Sequence, residues 1–334
     1  MTPADQIPVE KGEHVVAGAI DDNMLYPLLV WAWSLSESAV KPFRIVIGFL
    51  EDELSAKNRT IIGEVLDVLS IRHELVELKK DTRFIAQGHI SPTTFTKFLL
   101  ADLIAGPHVW IDVDAVAKPG WDEIFQEMAA VPASVYLVVV DRGKGVSTQA
   151  SGIESPSNLA FNAGVLGWPG KKRKDWSKQL DSVGLVDTQE QFLFNKLYGS
   201  HSHKVSESFN TLTYRYDSFS RLDKPRITHY AGAHKPWHLP RRFSQLCLNH
   251  RCPWSLWFVS ESAFLEAISE EPVRDTVAQE QKRALGVTRL SLNRGQTGLA
   301  LLRVLRSIGQ LGWLIIFASK PFKRWIPRGT HPLH

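Results

Sequence analysis

Asp112 and Asp114 close the apolar run Val109-Trp110-Ile111, with Val113 between them. Side chains two apart on a strand point to the same face, so this spacing predicts two carboxylates together at a strand tip. Hard oxygen ligands placed that way suit Mg or Mn better than zinc. An Asp-x-Asp triplet alone carries little, because 17 aspartates in 334 residues produce roughly one by chance; it needs its surroundings before it means chemistry.

The elements around it supply them. Strand-like and helical runs alternate over 14–19, 24–38, 43–50, 54–69, 71–78, 94–105 and 108–114, the rhythm of an α/β chain with a mostly parallel central sheet. Ligands of such sheets bind beyond the carboxyl ends of the strands. Chemistry is therefore expected at Ile20-Asp21-Asp22-Asn23 and at Asp112 to Asp114. No G-x-G-x-x-G follows the first strand and no G-x-x-x-x-G-K-[ST] occurs anywhere, which argues against a dinucleotide enzyme and a P-loop phosphotransferase. Further on, a strand over 135–140 ends at Asp141, and a polar loop over 142–158 follows. The small-residue segment 159–168 then brings Asn162 and Ala163 where another group can approach the backbone. A basic helix is expected near 171–182, a helix carrying Glu190 and Gln191 near 188–198, and a strand over 226–231 holding His229, with Gly232 and Lys235 after it.

Composition bounds the class: 44% hydrophobic and 22% charged residues describe a globular chain with one large domain and an appendage. The polar N-terminus has no secretory pattern, and Cys247 and Cys252 are read as reduced thiols without a function. The expected location is the cytoplasm. The net charge of +4 conceals an asymmetry, since residues 281–334 carry ten Lys or Arg and no acid, leaving 29 basic against 35 acidic residues elsewhere. Nucleic acid is therefore not the expected partner of the catalytic part. Within the tail, Leu301, Val304, Leu305, Ile308 and Ile315 can share one helical face, flanked by Lys320, Lys323, Arg324, Arg328, Trp313 and Trp325. Residues 298–328 read as an interfacial helix on an anionic membrane, at the inner face; the competing reading is a helix packed on the main domain. The division expected is 1–245 for the catalytic domain and 246–334 for a helical, basic extension.

Seven segments in order resemble the family 8 glycosyltransferases, and within them the bacterial lipooligosaccharide galactosyl- and glucosyltransferases. They are AIDDN (19–23), HISPTTFTKFLLADLI (89–104), VWIDVDAV (109–116), FNAGVLGW (161–168), TQEQFLFN (188–195), SESFN (206–210) and ITHYAGAHKPWH (227–238). Any one of them can arise by chance, but not all seven in this order. The resemblance implies a GT-A fold and retaining transfer of a hexose from UDP-galactose or UDP-glucose to a glycan or glycolipid acceptor such as lipopolysaccharide. It also implies a Mn2+ ion, with Mg2+ as the alternative.

By the same resemblance Asp112, Asp114 and His229 are the metal ligands. Asp21 and Asn23 match uridine-binding positions, and His89, Ile90, Val113, Gly232 and Lys235 match positions near ribose or diphosphate. Asp141, Asn162, Ala163, Glu190 and Gln191 match positions around the donor sugar, Gln191 where a nucleophile or cation stabiliser is expected. Three positions depart from the pattern: Lys97 stands where relatives have Arg, Phe192 where they have a second acid, and Met24 where they have Tyr. Losing the guanidinium fork at 97 alters the expected donor contacts.

Each residue also has a plainer reading. His229 and His89 can be hydrogen-bonded structural histidines, Asp141 can end its strand in an Asx-turn, Asp21 or Asp22 can cap the next helix, and Lys235 and Gln191 can be solvated surface groups. The alternative function is a catalytically weakened nucleotide-sugar or glycan-binding protein, suggested by Lys97 and Phe192. A glycoside hydrolase fits less well, because adjacent acids at one strand tip do not flank a glycosidic bond.

Overall fold

The computed structural model describes residues 6–84, 91–132, 135, 137–140, 161–170, 190–213, 225–232, 235–238 and 254–293. His89, Ile90, Asp141, the loop 142–158, the helix expected at 171–182, both cysteines and the tail 298–328 lie outside the described residues. No helix among the described residues is long and apolar enough to cross a membrane.

The first half of the chain alternates strand and helix as its periodicity predicts: β1 (His14–Ala19), α1 (Leu25–Ser38), β2 (Phe43–Leu50), α2 (Ala56–Val68), β3 (His73–Leu78), α3 (Thr96–Leu103) and β4 (His108–Ile111). β5 (Ala115–Ala117), α4 (Ile124–Ala130), β6 (Leu137–Val140), β7 (Val165–Trp168), α5 (Glu190–Tyr198), β8 (Ser202–Val205), β9 (Thr211–Leu212), β10 (Ile227–His229), α6 (Ser255–Ala267) and α7 (Glu271–Asn293) follow. Seven strands form one sheet in the order β3-β2-β1-β4-β7-β6-β8, and β5-β10-β9 form a second, small one. β3, β2, β1 and β4 are parallel, whereas β7 runs antiparallel to both β4 and β6. This is the mostly parallel mixed sheet expected of a GT-A chain. The reversed strand β7 is hidden in the sequence, where Val165-Leu166-Gly167-Trp168 reads as a small-residue segment.

The inner strands β1, β2, β4, β6 and β7 are largely apolar because both of their faces are covered. Along β1, Val16 enters one core while Val15 and Ala17 enter the other; along β4, Val109 and Ile111 oppose Trp110 in the same way. The first core takes its helical side from α1, α2, α4, α6 and α7, the second from α3 and α5. α1 is buried on nearly all sides, which explains why it is apolar all round. Residues 254–293 supply part of that cover. Trp257, Phe258 and Phe264 of α6 and Val277 of α7 join the first core. Tyr26 of α1 donates to Glu261 of α6 at 2.5 Å, and Gln281 of α7 donates to the same carboxylate at 3.0 Å.

β4 stops at Ile111, earlier than the 108–114 run suggests, and the chain turns through Asp112, Val113 and Asp114 into β5. The turn is held from both sides: Asp112 N donates to Gly164 O and Tyr230 N donates to Asp114 O. The acids are therefore carried by a turn between two sheets, not by one continuous strand.

Candidate functional site

Three chain segments meet at this turn. β5 pairs antiparallel with β10, placing His229 opposite Ala115, the residue after Asp114. β7, entered through Asn162, Ala163 and Gly164, lies beside β4. Gly164 is required by the crowding, since a Cβ there would lie closer than 3.0 Å to the His229 ring and to Asn162 Oδ1.

The result is a compact donor set. His229 Nε2 lies 3.1 Å from Asp114 Oδ1 and 3.8 Å from Asp112 Oδ2, and one ligand atom from each residue falls within 4.8 Å of the others. A six-coordinate ion with bonds of about 2.1 Å sets its ligands about 3 to 4 Å apart, so the residues fit a divalent cation.

Cations surround the acids. Lys235 donates to Asp114 Oδ2 at 2.5 Å and to Tyr230 O at 2.9 Å. Burial pushes the Asp114 carboxyl upwards, but Lys235 and His229 outweigh it and hold its pKa well below the ordinary aspartate value. Asp112 is gripped from behind: Trp110 donates its indole N–H to Oδ1 at 2.7 Å, and Lys97 lies 3.1 Å from the same oxygen. Lys97 also reaches Glu190 Oε1 at 3.3 Å. Only 1% exposed, its ammonium would be disfavoured by burial, yet Asp112 and Glu190 hold its pKa above the ordinary lysine value. Lys97 thus acts first on its two carboxylates. The pairing depends on α3 and α5 meeting, which a parallel stack of Phe98 on Phe194, centroids 4.0 Å apart, provides.

Asn162 and Gln191 are likewise joined, Asn162 Nδ2 donating to Gln191 Oε1 at 2.8 Å. Asn195, one turn along α5, accepts from Phe161 N and donates to Phe161 O and Gln191 O, fixing the segment that enters β7 to that helix. Ala163 is buried between Asn162 and Gly164.

Asp21 and Asn23 lie past the carboxyl end of β1, which runs parallel to and beside β4, so both tips open on the same sheet edge. Asp21 Oδ1 accepts from Asn23 N at 2.9 Å; burial raises its pKa, and the neighbouring charges of Glu53 and Asp22 add to the shift. Asp22 has a structural task, accepting from Ser55 N, Ser55 Oγ and Asn58 Nδ2 at the start of α2. Gly232 follows β10 with φ +97° and open space around it.

The family model for glycosyl transferase family 8 matches residues 15–239. The chain belongs to that family. It is a retaining glycosyltransferase with a GT-A fold, the class whose seven segments the sequence carries. No curated protein matches it in sequence. Among solved structures, it is similar to the galactosyltransferase LgtC in complex with donor and acceptor sugar analogues, at 22% identity over 67% of this chain and 89% of that one, TM-score 0.54. An active-site mutant of LgtC is similar at 20% identity over 70% and 95%, TM-score 0.57. The bifunctional glycosyltransferase WbbM is similar at 17% identity over 83% and 53%, TM-score 0.53. At these identities the likeness is one of fold. Family members use a divalent metal and a nucleotide sugar, which agrees with the Asp112, Asp114 and His229 set.

Several residues of this centre have no role assigned from the sequence: Asn210, Trp110, Gly164 and Asn195. Trp110 has a legible signal, being two before Asp112 and so on the same side of the strand. The others act across tertiary contacts. SESFN contains Asn210 without revealing what its amide meets.

Proposed function

We propose that this glycosyltransferase moves a hexose, galactose or glucose, from its UDP carrier to a hydroxyl of an envelope glycan or glycolipid such as lipopolysaccharide, with Mn2+ held by Asp112, Asp114 and His229. The observation that carries the reading is the convergence of these three groups, with Lys235 beside them, at the edge where an α/β sheet takes its ligands. When bound, the ion supplies Lewis-acid and charge stabilisation to a departing diphosphate. Lys235 brings a second positive charge to the same place, as a compact donor suited to phosphate oxygens. Asp21 and Asn23 receive the uridine part, with His89, Ile90, Val113 and Gly232 along the ribose and diphosphate.

Around the sugar, Glu190 and Gln191 are at the first turn of α5, where Lys97 and Asn162 hold their side-chain oxygens. We assign the side-chain amide of Gln191, which Asn162 orients, to the positive charge developing at the anomeric carbon. Asn162, Ala163 and Asp141 complete the sugar's surroundings. The acceptor then attacks on the face from which UDP leaves. The basic tail over 298–328 would keep the enzyme beside a lipid-linked acceptor at the inner membrane face, a reading supported by its sequence alone.

The test is UDP release by purified protein across a panel of UDP-sugars, with and without Mn2+, alongside Asp114→Ala. Metal-dependent release from one donor, lost in the variant, is expected. Tight UDP binding without turnover, even with candidate acceptors supplied, would favour a nucleotide-sugar-binding protein instead.

A further inference from the structure

A hydrogen-bonded chain of amides runs from the main chain to the imidazole of His229, and its direction can be read unambiguously from its first link. Gly164 N is necessarily a donor, and it donates to Asn162 Oδ1 at 2.9 Å. That makes the other end of the Asn162 amide the NH2 group, which donates to Gln191 Oε1 at 2.8 Å. Asn162 Oδ1 accepts a second hydrogen bond, from Asn210 Nδ2 at 2.9 Å. The carbonyl oxygen of Asn210 is then what faces His229 Nδ1, at 3.0 Å. An oxygen there accepts only, so Nδ1 carries the proton. In the neutral imidazole that a metal ion takes as ligand, Nε2, the nitrogen nearest both aspartates, then carries the lone pair. Asn210 is 5% exposed and His229 3%, so water cannot readily replace either partner.

We propose that Asn210 is a positioning residue for the metal centre. Through this relay it sets the tautomer and ring angle of His229, and through Asn162 it ties the metal ligand to Gln191 on α5. The inference rests on reading His229 as a metal ligand. Its physical basis is that a metal-bound imidazole takes its orientation and basicity from the partner of its other nitrogen. Here that partner is an amide oxygen whose own orientation is dictated two links away by a backbone N–H. One consequence is that the His229–Asn210 pair and the Asn162–Gln191 pair cannot be rearranged independently, because Asn162 bonds to both Asn210 and Gln191.

The experiment is direct Mn2+ binding to the full chain without donor or acceptor, read from the electron paramagnetic resonance of free Mn2+. Asn210→Ala should weaken Mn2+ by about 10- to 100-fold, the usual effect of removing such a partner. Asn210→Asp should restore affinity to within a few-fold of wild type, because a carboxylate accepts the Nδ1 proton although it cannot donate to Asn162. A purely structural role predicts the opposite for aspartate, which loses that donation and adds a buried charge. Thermal unfolding checks that the variants fold; if Asn210→Ala does not, Asn210→Ser, whose hydroxyl is too short to reach the ring, takes its place. Wild-type affinity in Asn210→Ala or Asn210→Ser, or no recovery in Asn210→Asp, would overturn the proposal while leaving the metal site intact. Failure of the wild type itself to bind Mn2+ would overturn the metal assignment, and this inference with it.

Discussion

Gly164 and His229 approach so closely that no methyl group fits between them: a Cβ on 164 would lie within 3.0 Å of both Cε1 and Nδ1 of the ring. The glycine is thus part of the candidate metal centre although it offers no ligand. Gly164→Ala must displace His229 or the 162–164 backbone, and forced insertion into a packed site costs about 1 to 3 kcal/mol. The expected outcome is a lowered unfolding midpoint together with weakened Mn2+ binding, measured by calorimetry on the same preparation. Unchanged metal affinity would mean that the ring is free to move.

Lys97 offers a test of the pairing between α3 and α5. Removing its charge with Lys97→Met leaves Asp112 and Glu190 facing each other across the vacated place. Breaking a buried ion pair from one side costs about 3 to 5 kcal/mol, and the lower end applies because both carboxylates keep some exposure. Denaturant unfolding should show the loss; a variant as stable as wild type would show that the lysine is not needed to neutralise them.

Asp21 predicts a trade between stability and binding. Burial raises its pKa in the folded chain, so folding is opposed once the group ionises, and the wild type loses stability as pH rises through the ordinary aspartate range to the raised folded value. Asp21→Asn has no such loss. The variant should be more stable than wild type at pH 7, with the gap closing as pH falls below about 4, and it should bind UDP more weakly. Equal stability across the whole range would remove the assigned cost of the partly buried charge.

Deleting residues 298–334 tests the tail. The truncated protein should no longer sediment with anionic liposomes, while its Mn2+-dependent donor hydrolysis persists, because residues 15–239 carry the family match. Sedimentation of the truncated chain would refute membrane attachment through this segment.

Fold class, the alternation of strand and helix up to β4, and the three metal-binding candidates were legible in the chain itself. Apolar periodicity is local, and the seven segments carry their residue types in order. Asp112, Asp114 and His229 could be named as candidate ligands from that order alone. What brings them together is not local. Their convergence comes from a turn out of β4 and from β5 pairing with β10, more than a hundred residues later in the chain. β7 could not be recognised, because a reversed strand buried on both faces has no distinguishing period. Lys97 was legible as a departure from the family's arginine, but its burial between Asp112 and Glu190 depends on two helices meeting. Asn210 could be quoted without a role, since an amide acquires a direction only from its neighbours. The sequence by itself determined which groups are available and in what order; the tertiary structure decided which oxygen faces which nitrogen, because hydrogen-bond direction is a property of contacts and not of composition.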